Sequence, residues 1–342
     1  MGPLNPSLLA ALLLAGPALC QEVSTGPAVA QSTPAVTVTL TAVGDIRLDG
    51  PVGAIISREG PEAPLAAMRE RLQADIVFGN LECPVTRSGT KLSKKWNFRA
   101  PPRNLAALKS AGFNILNIAN NHVMDYGRKG FTDTLAALEE AGLQYIGGGK
   151  DRADAERLSV IEARGLRVGF LGFTSTFPES AWAGPHRPGV AYSDFSRVGG
   201  VIRDARSRCD ILVVSFHGGT ELAEEPNVIQ RGFAHLAINS GADLFLGHHP
   251  HVIQPIEVYQ GKPILYSLGN FLFSSPTAAT FVTAAARVKL TAEGVVGIEF
   301  LPVETNWGRP IPARAAARQK LKKNLDRYGV LSSLPERFKL AE

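Results

Sequence analysis

Polar side chains with metal-binding chemistry follow five of the predicted strands, at the point where each strand ends. Carboxylates, a carboxamide pair and imidazoles occur among them: Asp45, Asn80, Glu82, Asn121, His122, His217, His249 and His251. In open α/β sheets, ligands bind beyond the carboxyl ends of the strands, so we expect these side chains to converge on one rim. Oxygen and imidazole donors together suit a hard or borderline divalent cation such as Mn, Fe or Zn. The sequence therefore predicts a divalent-metal site at this rim.

Each of these residues also has an ordinary structural explanation. Gly44-Asp45 after a strand is typical of a simple turn. Asn80 and Glu82 fit a capping or Asx-turn device equally well, and His217 fits a buried histidine with a hydrogen-bond partner. Three histidines within positions 248–251 are harder to explain by packing and indicate a metal or phosphate role. The coincidence of five strand ends favours the metal site over separate explanations.

The elements that must position these residues alternate along the chain. The predicted strands are 36–43, 75–78, 113–118, 143–146, 167–173, 211–216, 243–246 and 263–267. The predicted helices are 64–73, 105–111, 132–141, 197–207 and 228–240. Repeated helix–glycine–strand units indicate a largely parallel sheet that is covered on both faces. Residues 281–303 predict two antiparallel strands, and 307–312 a linker to the C-terminal segment.

The positive charge of the chain is concentrated at its C-terminus. The 342 residues carry a net charge of +5, but residues 309–342 alone hold nine Lys/Arg against three Asp/Glu. Residues 1–308 hold 27 basic and 28 acidic residues. A nucleic-acid-binding body carries its positive charge along one face, so this distribution argues against nucleic acid as a partner. Residues 309–342 are predicted to be a basic helical segment that packs on or extends the preceding domain, 36–308.

The N-terminus has the features of an export signal. The apolar run 8–19 has the length of a signal-peptide h-region and is too short to span a bilayer. Small-residue cleavage sites follow at Ala30 and, as an alternative, at Cys20, so residues 1–30 are predicted to be a signal peptide. The protein is then exported to the periplasm or the cell exterior, anchored if the signal is retained. Cys83 and Cys209 remain, and two cysteines do not make a disulfide framework.

Seven motifs occur in an order that is typical of one family. They are Gly44-Asp45, Gly79-Asn80-Leu81-Glu82, Asn97-Phe98-Arg99-Ala100-Pro101-Pro102, Ala119-Asn120-Asn121-His122 with Asp125-Tyr126-Gly127, Gly241-Ala242-Asp243, Gly247-His248-His249-Pro250-His251-Val252 and Tyr266-Ser267-Leu268-Gly269-Asn270-Phe271. The sequence thus resembles the CapA/PgsA family of bacterial capsule and poly-γ-glutamate biosynthesis proteins over roughly residues 36–335. That family is similar to the calcineurin-like metallophosphoesterases.

The resemblance implies a fold and a set of site residues. The implied fold is α/β, a metallophosphatase-like sandwich of two mixed β-sheets flanked by helices. The implied ligands of one or two divalent ions are Asp45, Asn80, Glu82, Asn121, His217, His249 and His251. The implied catalytic residues are His122 as general acid, Asp125 to orient its ring, and Glu221 as ligand or general base. Arg99, Arg47 and Asn270 are expected to bind an anionic substrate group. A surface salt bridge is the alternative for each arginine, and for Arg99 it is equally simple.

Two departures from the family pattern bear on activity. The first metallophosphoesterase motif is Asp-x-His, but Asp45-Ile46-Arg47 places arginine where the second ligand belongs. A two-metal centre needs ligands for both ions, so this change argues against full two-metal catalysis. The segment His217-Gly218-Gly219-Thr220-Glu221-Leu222 also lacks the two aromatic residues that the family has there. That loss affects the substrate side more than the metal side.

Two functions of different class remain open. In the first, the protein is a metal-dependent hydrolase of a phosphoester or an amide-linked anionic polymer in capsule or poly-γ-glutamate biosynthesis. In the second, it is a non-catalytic, metal-containing accessory protein that binds the polymer or helps export it, beside membrane-bound synthase subunits. Membrane contact through cations of 309–342 is a weaker alternative, because no strong apolar face accompanies the charges. The run 147–150 lacks the Walker spacing of a nucleotide site.

Overall fold

Residues 36–341 are described by a computed structural model. The predicted signal peptide, 1–30, lies outside these residues. The strands are β1 Val38–Ile46, β2 Ile76–Leu81, β3 Ile115–Asn117, β4 Gln144–Ile146, β5 Gly148–Gly149, β6 Ser159–Ala163, β7 Leu166–Thr174, β8 Gly189–Val190, β9 Ile211–His217, β10 Leu244–His248, β11 Ile256–Tyr259, β12 Lys262–Leu265, β13 Asn270–Leu272, β14 Val282–Thr291, β15 Gly294–Asn306, β16 Arg309–Pro312 and β17 Phe338–Leu340. The helices are α1 Gly50–Glu59, α2 Arg69–Leu72, α3 Ala106–Ser110, α4 Gly127–Glu140, α5 Arg152–Ala155, α6 Val198–Arg206, α7 Val228–Asn239, α8 Ala315–Leu325 and α9 Val330–Ser333. Within this part of the chain, every helix is too short or too polar to cross a bilayer.

The larger sheet has the strand order β16-β15-β14-β1-β2-β3-β4, with β17 beside β15. Strands β1 to β4 are parallel; β14 is antiparallel to β1 and β15, β16 is antiparallel to β15, and β17 is parallel to β15. Strand β1 pairs with β14 as far as Ala42, and β13 then becomes its parallel neighbour at Asp45 and Ile46. The carboxyl end of β1 is therefore flanked on both sides by parallel strands.

The smaller sheet has the strand order β11-β12-β10-β9-β7-β6. Its central strands β12, β10, β9 and β7 are parallel, and both edge strands are antiparallel. Strands β5 and β8 form a separate two-stranded ladder. Both large sheets are thus mixed.

The two sheets pack face to face around one apolar core. Alternate residues of β1, namely Val38, Leu40 and Ala42, point into this core because successive side chains of a strand face opposite sides. They meet inward-facing residues of β7, β9 and β10. The rings of Phe78 and Phe170 stack across the interface at 6.0 Å between centroids.

Helices cover the outer face of each sheet. Residues of α1 to α4, such as Val52 and Leu138, pack on the larger sheet. Residues of α6 and α7, such as Ile202 and Phe233, pack on the smaller one. Helix, sheet, sheet and helix layers confirm the predicted fold class, a sandwich of two mixed β-sheets flanked by helices.

Several sequence predictions of local structure are wrong. The predicted linker 307–312 is a tight turn followed by β16, which pairs with β15 through backbone hydrogen bonds. Helix α1 and strands β6, β11 and β13 are missing from the sequence prediction. Strands β1 and β2 extend through Asp45 and Asn80, so both polar residues lie inside strands rather than in the following turns.

Candidate metal centre

A row of four polar residues crosses the larger sheet at the carboxyl ends of its parallel strands. Asn117 of β3 is in register with Asn80 of β2, Asn80 with Asp45 of β1, and Asp45 with Asn270 of β13. All four are buried. Side chains in register on neighbouring strands lie side by side on the same face, so the sheet itself assembles this row.

Asp45 is the centre of the row and is fully buried. Its Oδ1 accepts a hydrogen bond from Nδ2 of Asn80 at 2.8 Å, and its Oδ2 lies 3.1 Å from Nδ1 of His251. Burial raises the pKa of this carboxyl, but His251 and the Asn80 amide outweigh that effect and hold the pKa below its usual value. Asp45 is therefore a carboxylate.

Glu82 is a buried carboxyl whose two oxygens have no hydrogen-bond partner among the described residues. Its Oε1 lies 3.6 Å from Nε2 of His217 and 3.8 Å from Nε2 of His251. Burial raises the pKa of Glu82 well above its usual value, although the positive charge of His251 works against this. A fully buried carboxyl without partners is costly, and buried charges are normally paired or bound to a metal. Glu82 thus fits a cation ligand.

His217, the last residue of β9, is placed opposite Glu82 from the other sheet. Its Nε2 lies 2.9 Å from Oδ1 of Asn121, and its Nδ1 lies 3.1 Å from Nδ2 of Asn80. Burial, together with the neighbouring histidines, holds its pKa well below the usual value. His217 is therefore neutral and able to offer a nitrogen lone pair.

Asn80 uses both ends of its side-chain amide. Its Oδ1 accepts hydrogen bonds from Nδ2 of Asn117 at 2.8 Å and of Asn120 at 3.4 Å, while its Nδ2 faces Asp45 and His217. In this arrangement the oxygen that was predicted to bind a metal is already occupied. Asn80 holds two predicted ligands in place.

The segment after β10 brings two histidines to the centre through an unusual backbone. His249 and His251 have φ angles of 96° and 61°, a left-handed region that residues with a Cβ rarely adopt. The Nδ1 of His251 lies 2.8 Å from Oδ1 of Asn270, which leaves Nε2 directed at Glu82. Non-glycine residues at such φ values cluster at functional sites, where the surrounding structure enforces them.

The pKa values of His249 and His251 are shifted in opposite directions. Burial lowers the pKa of His249 to about 3. Burial also acts to lower the pKa of His251, but the carboxylates of Glu82 and Asp45 outweigh it and raise the pKa to about 10. The His249 ring is thus neutral and can offer a nitrogen lone pair to a metal. The His251 ring carries an additional proton that a bound cation would displace.

Two groups of side chains have the spacing of metal ligands. Glu82, His249 and His251 form one group, and Asp45, Glu82 and His217 form the other, with candidate ligand atoms within 4.8 Å of one another. Nδ1 of buried His249 also lacks a hydrogen-bond partner among the described residues. Glu82 belongs to both groups, so a single carboxylate is placed where it can serve two neighbouring ions or bridge them. The donor set fits Mn, Fe or Zn.

The neighbouring residue His248 is a second buried histidine without hydrogen bonds. Within 36–341, neither ring nitrogen has a partner, and Nδ1 lies 3.6 Å from Oδ1 of Asp45. Burial lowers its pKa to about 4. His248 is thus neutral and lies behind Asp45, between the sheets.

His122 lies beside the centre in a network with Asp125 and Lys94. Its Nδ1 is 2.8 Å from Oδ2 of Asp125, which leaves Nε2 without a protein partner among the described contacts. Asp125 also accepts a hydrogen bond from the backbone N–H of Phe98 and forms an ion pair with Lys94. Burial lowers the pKa of His122, although Asp125 opposes this effect. Lys94 and Phe98 were not predicted as site residues.

Phe98 connects His122 to Arg47. Its ring stacks on the His122 ring with 4.0 Å between centroids, and the Arg47 guanidinium lies 3.8 Å from the centroid of the same ring. Arg47 also forms an ion pair with Asp49. The residue that replaces the second ligand of the Asp-x-His motif is therefore engaged in stacking and ion pairing.

Of the other predicted substrate and catalytic residues, Arg99 and Glu221 are exposed and Asn270 is buried in the centre. Arg99 is exposed, with its guanidinium 4.2 Å from the ring centroid of Tyr126. Glu221 is exposed, and its charge raises the pKa of Glu82. Asn270 contacts His251, as described above. The roles assigned to these residues stay predictions.

Close backbone approach explains the glycines before Asp45 and His248. A Cβ atom on Gly44 would lie 1.9 Å from the backbone oxygen of Gly269, and one on Gly247 would lie 2.0 Å from that of Tyr266. Neither glycine has a positive φ, so the close contact rather than the backbone conformation requires glycine at these positions. They allow β13 and the chain before it to lie against the ends of β1 and β10.

Asn117 and Asn120 were missed by the sequence prediction. Both are buried and hold Asn80, so they support the ligands. A signal was present, because asparagine is unusual within the apolar run 113–118. Cys83 and Cys209 are buried free thiols in separate cores and do not pair.

Comparisons with known proteins identify the family of this chain. The family model of the bacterial capsule synthesis protein PGA_cap matches residues 39–275. The capsule biosynthesis protein CapA of Bacillus anthracis is 34% identical over 288 residues, covering 82% of this chain and 70% of that protein. The PGA biosynthesis protein CapA of Bacillus subtilis is 34% identical over 276 residues, covering 80% and 73%.

Solved structures with a similar architecture are distant in sequence. The NAD nucleotidase of Haemophilus influenzae is 13% identical with a TM-score of 0.47, covering 90% of this chain and 64% of that one. A 5'-nucleotidase precursor from Thermus thermophilus is 15% identical with a TM-score of 0.45, covering 87% and 60%. The family match and the two close relatives confirm the resemblance found in the motifs, and the chain belongs to the bacterial capsule synthesis protein family PGA_cap.

Proposed function

We propose that this protein is a divalent-metal-dependent hydrolase that acts on a phosphoester or an amide-linked anionic polymer in capsule or poly-γ-glutamate biosynthesis. The observation that carries the proposal is the Glu82 carboxyl group, which is fully buried, has no hydrogen-bond partner within residues 36–341 and faces His217 and His251. Burying a carboxylate without a partner costs free energy, and a cation bound to Glu82 would offset that cost.

The ligand atoms come from five elements of the sandwich. One or two ions of Mn, Fe or Zn would be held by six residues: Asp45, Glu82, Asn121, His217, His249 and His251. Asn80, Asn117 and Asn270 orient these ligands through hydrogen bonds, as partners behind metal ligands commonly do. A bound ion would supply an activated water and polarise the scissile bond.

The proton for the leaving group would come from the protonated form of His122, which the hydrogen bond and the charge of Asp125 favour against burial. The contact between Nδ1 and Asp125 fixes the ring and leaves Nε2 without a partner among the described contacts. Asp125 is itself fixed by the Phe98 N–H and Lys94. Glu221 is an exposed carboxylate near Glu82 and is available as a base.

A second candidate function is a metal-containing accessory protein that binds the polymer without turnover. The engaged guanidinium of Arg47 favours it, because no imidazole occupies the position of the usual second ligand. Export to the periplasm or cell exterior and contact with membrane-bound synthase subunits belong to both proposals.

The test is the divalent-metal content of the purified mature protein. We expect bound metal in the parent after reconstitution with Mn, Fe or Zn, and none in a still-folded variant carrying Asp45→Ala, His217→Ala and His251→Ala. A matched control is His235→Ala, since His235 contacts Glu257 away from the centre. Absence of metal from the reconstituted parent would overturn both functions.

Turnover then separates the two functions. Hydrolysis of a p-nitrophenyl phosphodiester or a γ-glutamyl peptide by the loaded parent, lost in the triple variant, supports the hydrolase. Bound metal without hydrolysis of either substrate class supports the accessory protein.

A further inference from the structure

The stretch between Glu82 and Asp125 has an unusual charge composition. Its 42 residues contain seven Lys/Arg and no Asp or Glu. The rest of residues 1–308 contains 20 basic and 28 acidic residues. The stretch between these two residues of the candidate centre therefore has a net charge of +7, whereas the rest of residues 1–308 has a net charge of −8.

Most of these cations are exposed and have no carboxylate partner within residues 36–341. Arg87, Lys91 and Lys95 are exposed and form no ion pair with a described residue, whereas Lys94 is paired with Asp125. The Lys95 ammonium lies 5.5 Å from the ring centroid of Trp96, which is itself 60% exposed. Unpaired cations of this kind are available to an anionic ligand.

Backbone contacts fix the segment 87–99, here called the basic segment, beside the centre. The N–H of Leu92 donates to the backbone oxygen of Asp125 at 2.9 Å, and the N–H of Phe98 donates to the Asp125 side chain at 2.7 Å. Lys94 Nζ lies 2.8 Å from the backbone oxygen of Asn121. The basic segment thus forms a wall next to His122.

A small cavity lies between Leu92 of the basic segment and Asn121, a predicted metal ligand. It has a volume of about 110 Å³, and its lining includes Leu92, Asn121, Arg128 and Pro178. A chain leaving the centre past Asn121 would therefore meet the basic segment.

We infer that the basic segment is a binding surface for a flexible polycarboxylate chain that extends beyond the metal centre. Each exposed ion pair contributes little, about 0–1 kcal/mol, so one carboxylate would not be held. A chain with many carboxylates engages several cations at once, and its later contacts form at high effective concentration. The inference rests on the proposed function for the chemical class of the ligand.

The test removes three charges from the basic segment and, in a control protein, three from helix α8. The variant is Arg87→Ser, Lys91→Ser and Lys95→Ser; the matched control is Lys320→Ser, Lys322→Ser and Lys323→Ser on α8. Binding of fluorescent poly-γ-glutamate is measured by anisotropy at about 20 and 200 mM salt. Glutamate monomer and polyphosphate of matched charge serve as competitors.

We expect the basic-segment variant to weaken polymer binding by about tenfold or more at low salt, with the control close to the parent. Metal content and thermal midpoint should be unchanged, and monomer should not compete. Equal binding by the two variants would overturn the inference, and stronger competition by polyphosphate than by unlabelled polymer would overturn the polycarboxylate assignment.

Failure of the proposed function gives a different pattern. Polymer binding could depend on the basic segment in a protein that binds no metal and shows no turnover. That result would support the binding surface and reject the hydrolase function. The parent and the basic-segment variant could instead hydrolyse small substrates equally and bind the polymer with equal affinity. That result would reject the binding surface and support the hydrolase.

Discussion

Oε1 of Glu82 lies 3.6 Å from Nε2 of His217 in the interior of the sandwich, and both side chains are fully buried. The two residues come from different sheets, and the distance is too long for a hydrogen bond. Metal–ligand bonds of about 2.0–2.2 Å to nitrogen and oxygen fit a gap of this size. The fold thus holds these two candidate ligand atoms at a separation that suits a metal ion between them.

Glu82→Gln should raise stability without metal while abolishing metal binding. Burial and the charges of Asp45 and Glu221 oppose a negative charge on Glu82 when no metal is bound, as its raised pKa shows, and the neutral amide removes that opposition. Denaturant unfolding in chelator and metal analysis after reconstitution measure the two effects. The matched control Glu257→Gln should destabilise, because that carboxylate binds His235 and Tyr266. A destabilised, metal-binding Glu82→Gln protein would contradict the ligand role.

Asp125→Asn should lower turnover while leaving the metal content intact. The change weakens the contact that orients the His122 ring, and loss of general acid catalysis costs about 10²–10⁴-fold in kcat. Turnover of a p-nitrophenyl phosphodiester and metal analysis measure the effect. Asp133→Asn is the control, since Asp133 pairs with Thr86 and Lys129 at the surface nearby. Equal kcat in the two variants would exclude His122 orientation by Asp125.

Asp75→Asn should reduce stability at neutral pH and have little effect in acid. Burial raises the pKa of Asp75, but hydrogen bonds from Thr39 and Arg164 outweigh it and lower the pKa below its usual value. A lowered pKa in the folded state stabilises the protein above the unfolded pKa of about 3.9, and this contribution is lost as pH falls through the folded value.

The expected loss for Asp75→Asn at pH 7 is about 1–3 kcal/mol, measured by denaturant unfolding at neutral and acid pH. Thr39 lies in the larger sheet and Arg164 next to the smaller one, so the carboxylate joins both. Exposed Asp204 provides the control substitution Asp204→Asn, which should change stability little at either pH. A loss that is independent of pH would refute the charge-dependent explanation.

Gly44→Ala should destabilise the protein strongly. The new Cβ would lie 1.9 Å from the backbone oxygen of Gly269, so β1 and the chain before β13 would have to separate. Overpacking of a tight contact costs about 1–3 kcal/mol or more. Gly200→Ala is the control, because its Cβ would meet nothing within 4 Å and alanine favours the helix by about 1 kcal/mol. Thermal unfolding compares the two, and similar midpoints would rule out the close contact.

The sequence by itself determined the fold class, the family and the group of residues at the strand ends. Apolar periodicity and glycine-terminated helices are local signals, and they indicate covered parallel strands wherever they occur. The strands after 36, 75 and 211 were found in this way. Polar residues at the ends of such strands must converge, because parallel strands end at one edge.

Only the tertiary structure decided which of these residues face one another and how. Contacts between residues far apart in sequence set these relationships. They place Asp45 in register with Asn270 and orient the side-chain amide of Asn80 through Asn117. They also leave both Glu82 oxygens without a hydrogen-bond partner among the described residues. Strand β13 is three residues long, which is too short to show a periodic pattern in the sequence. The positive φ angles of His249 and His251 cannot be predicted from their residue type. Packing of the two sheets, rather than local preference, fixed the geometry of the centre.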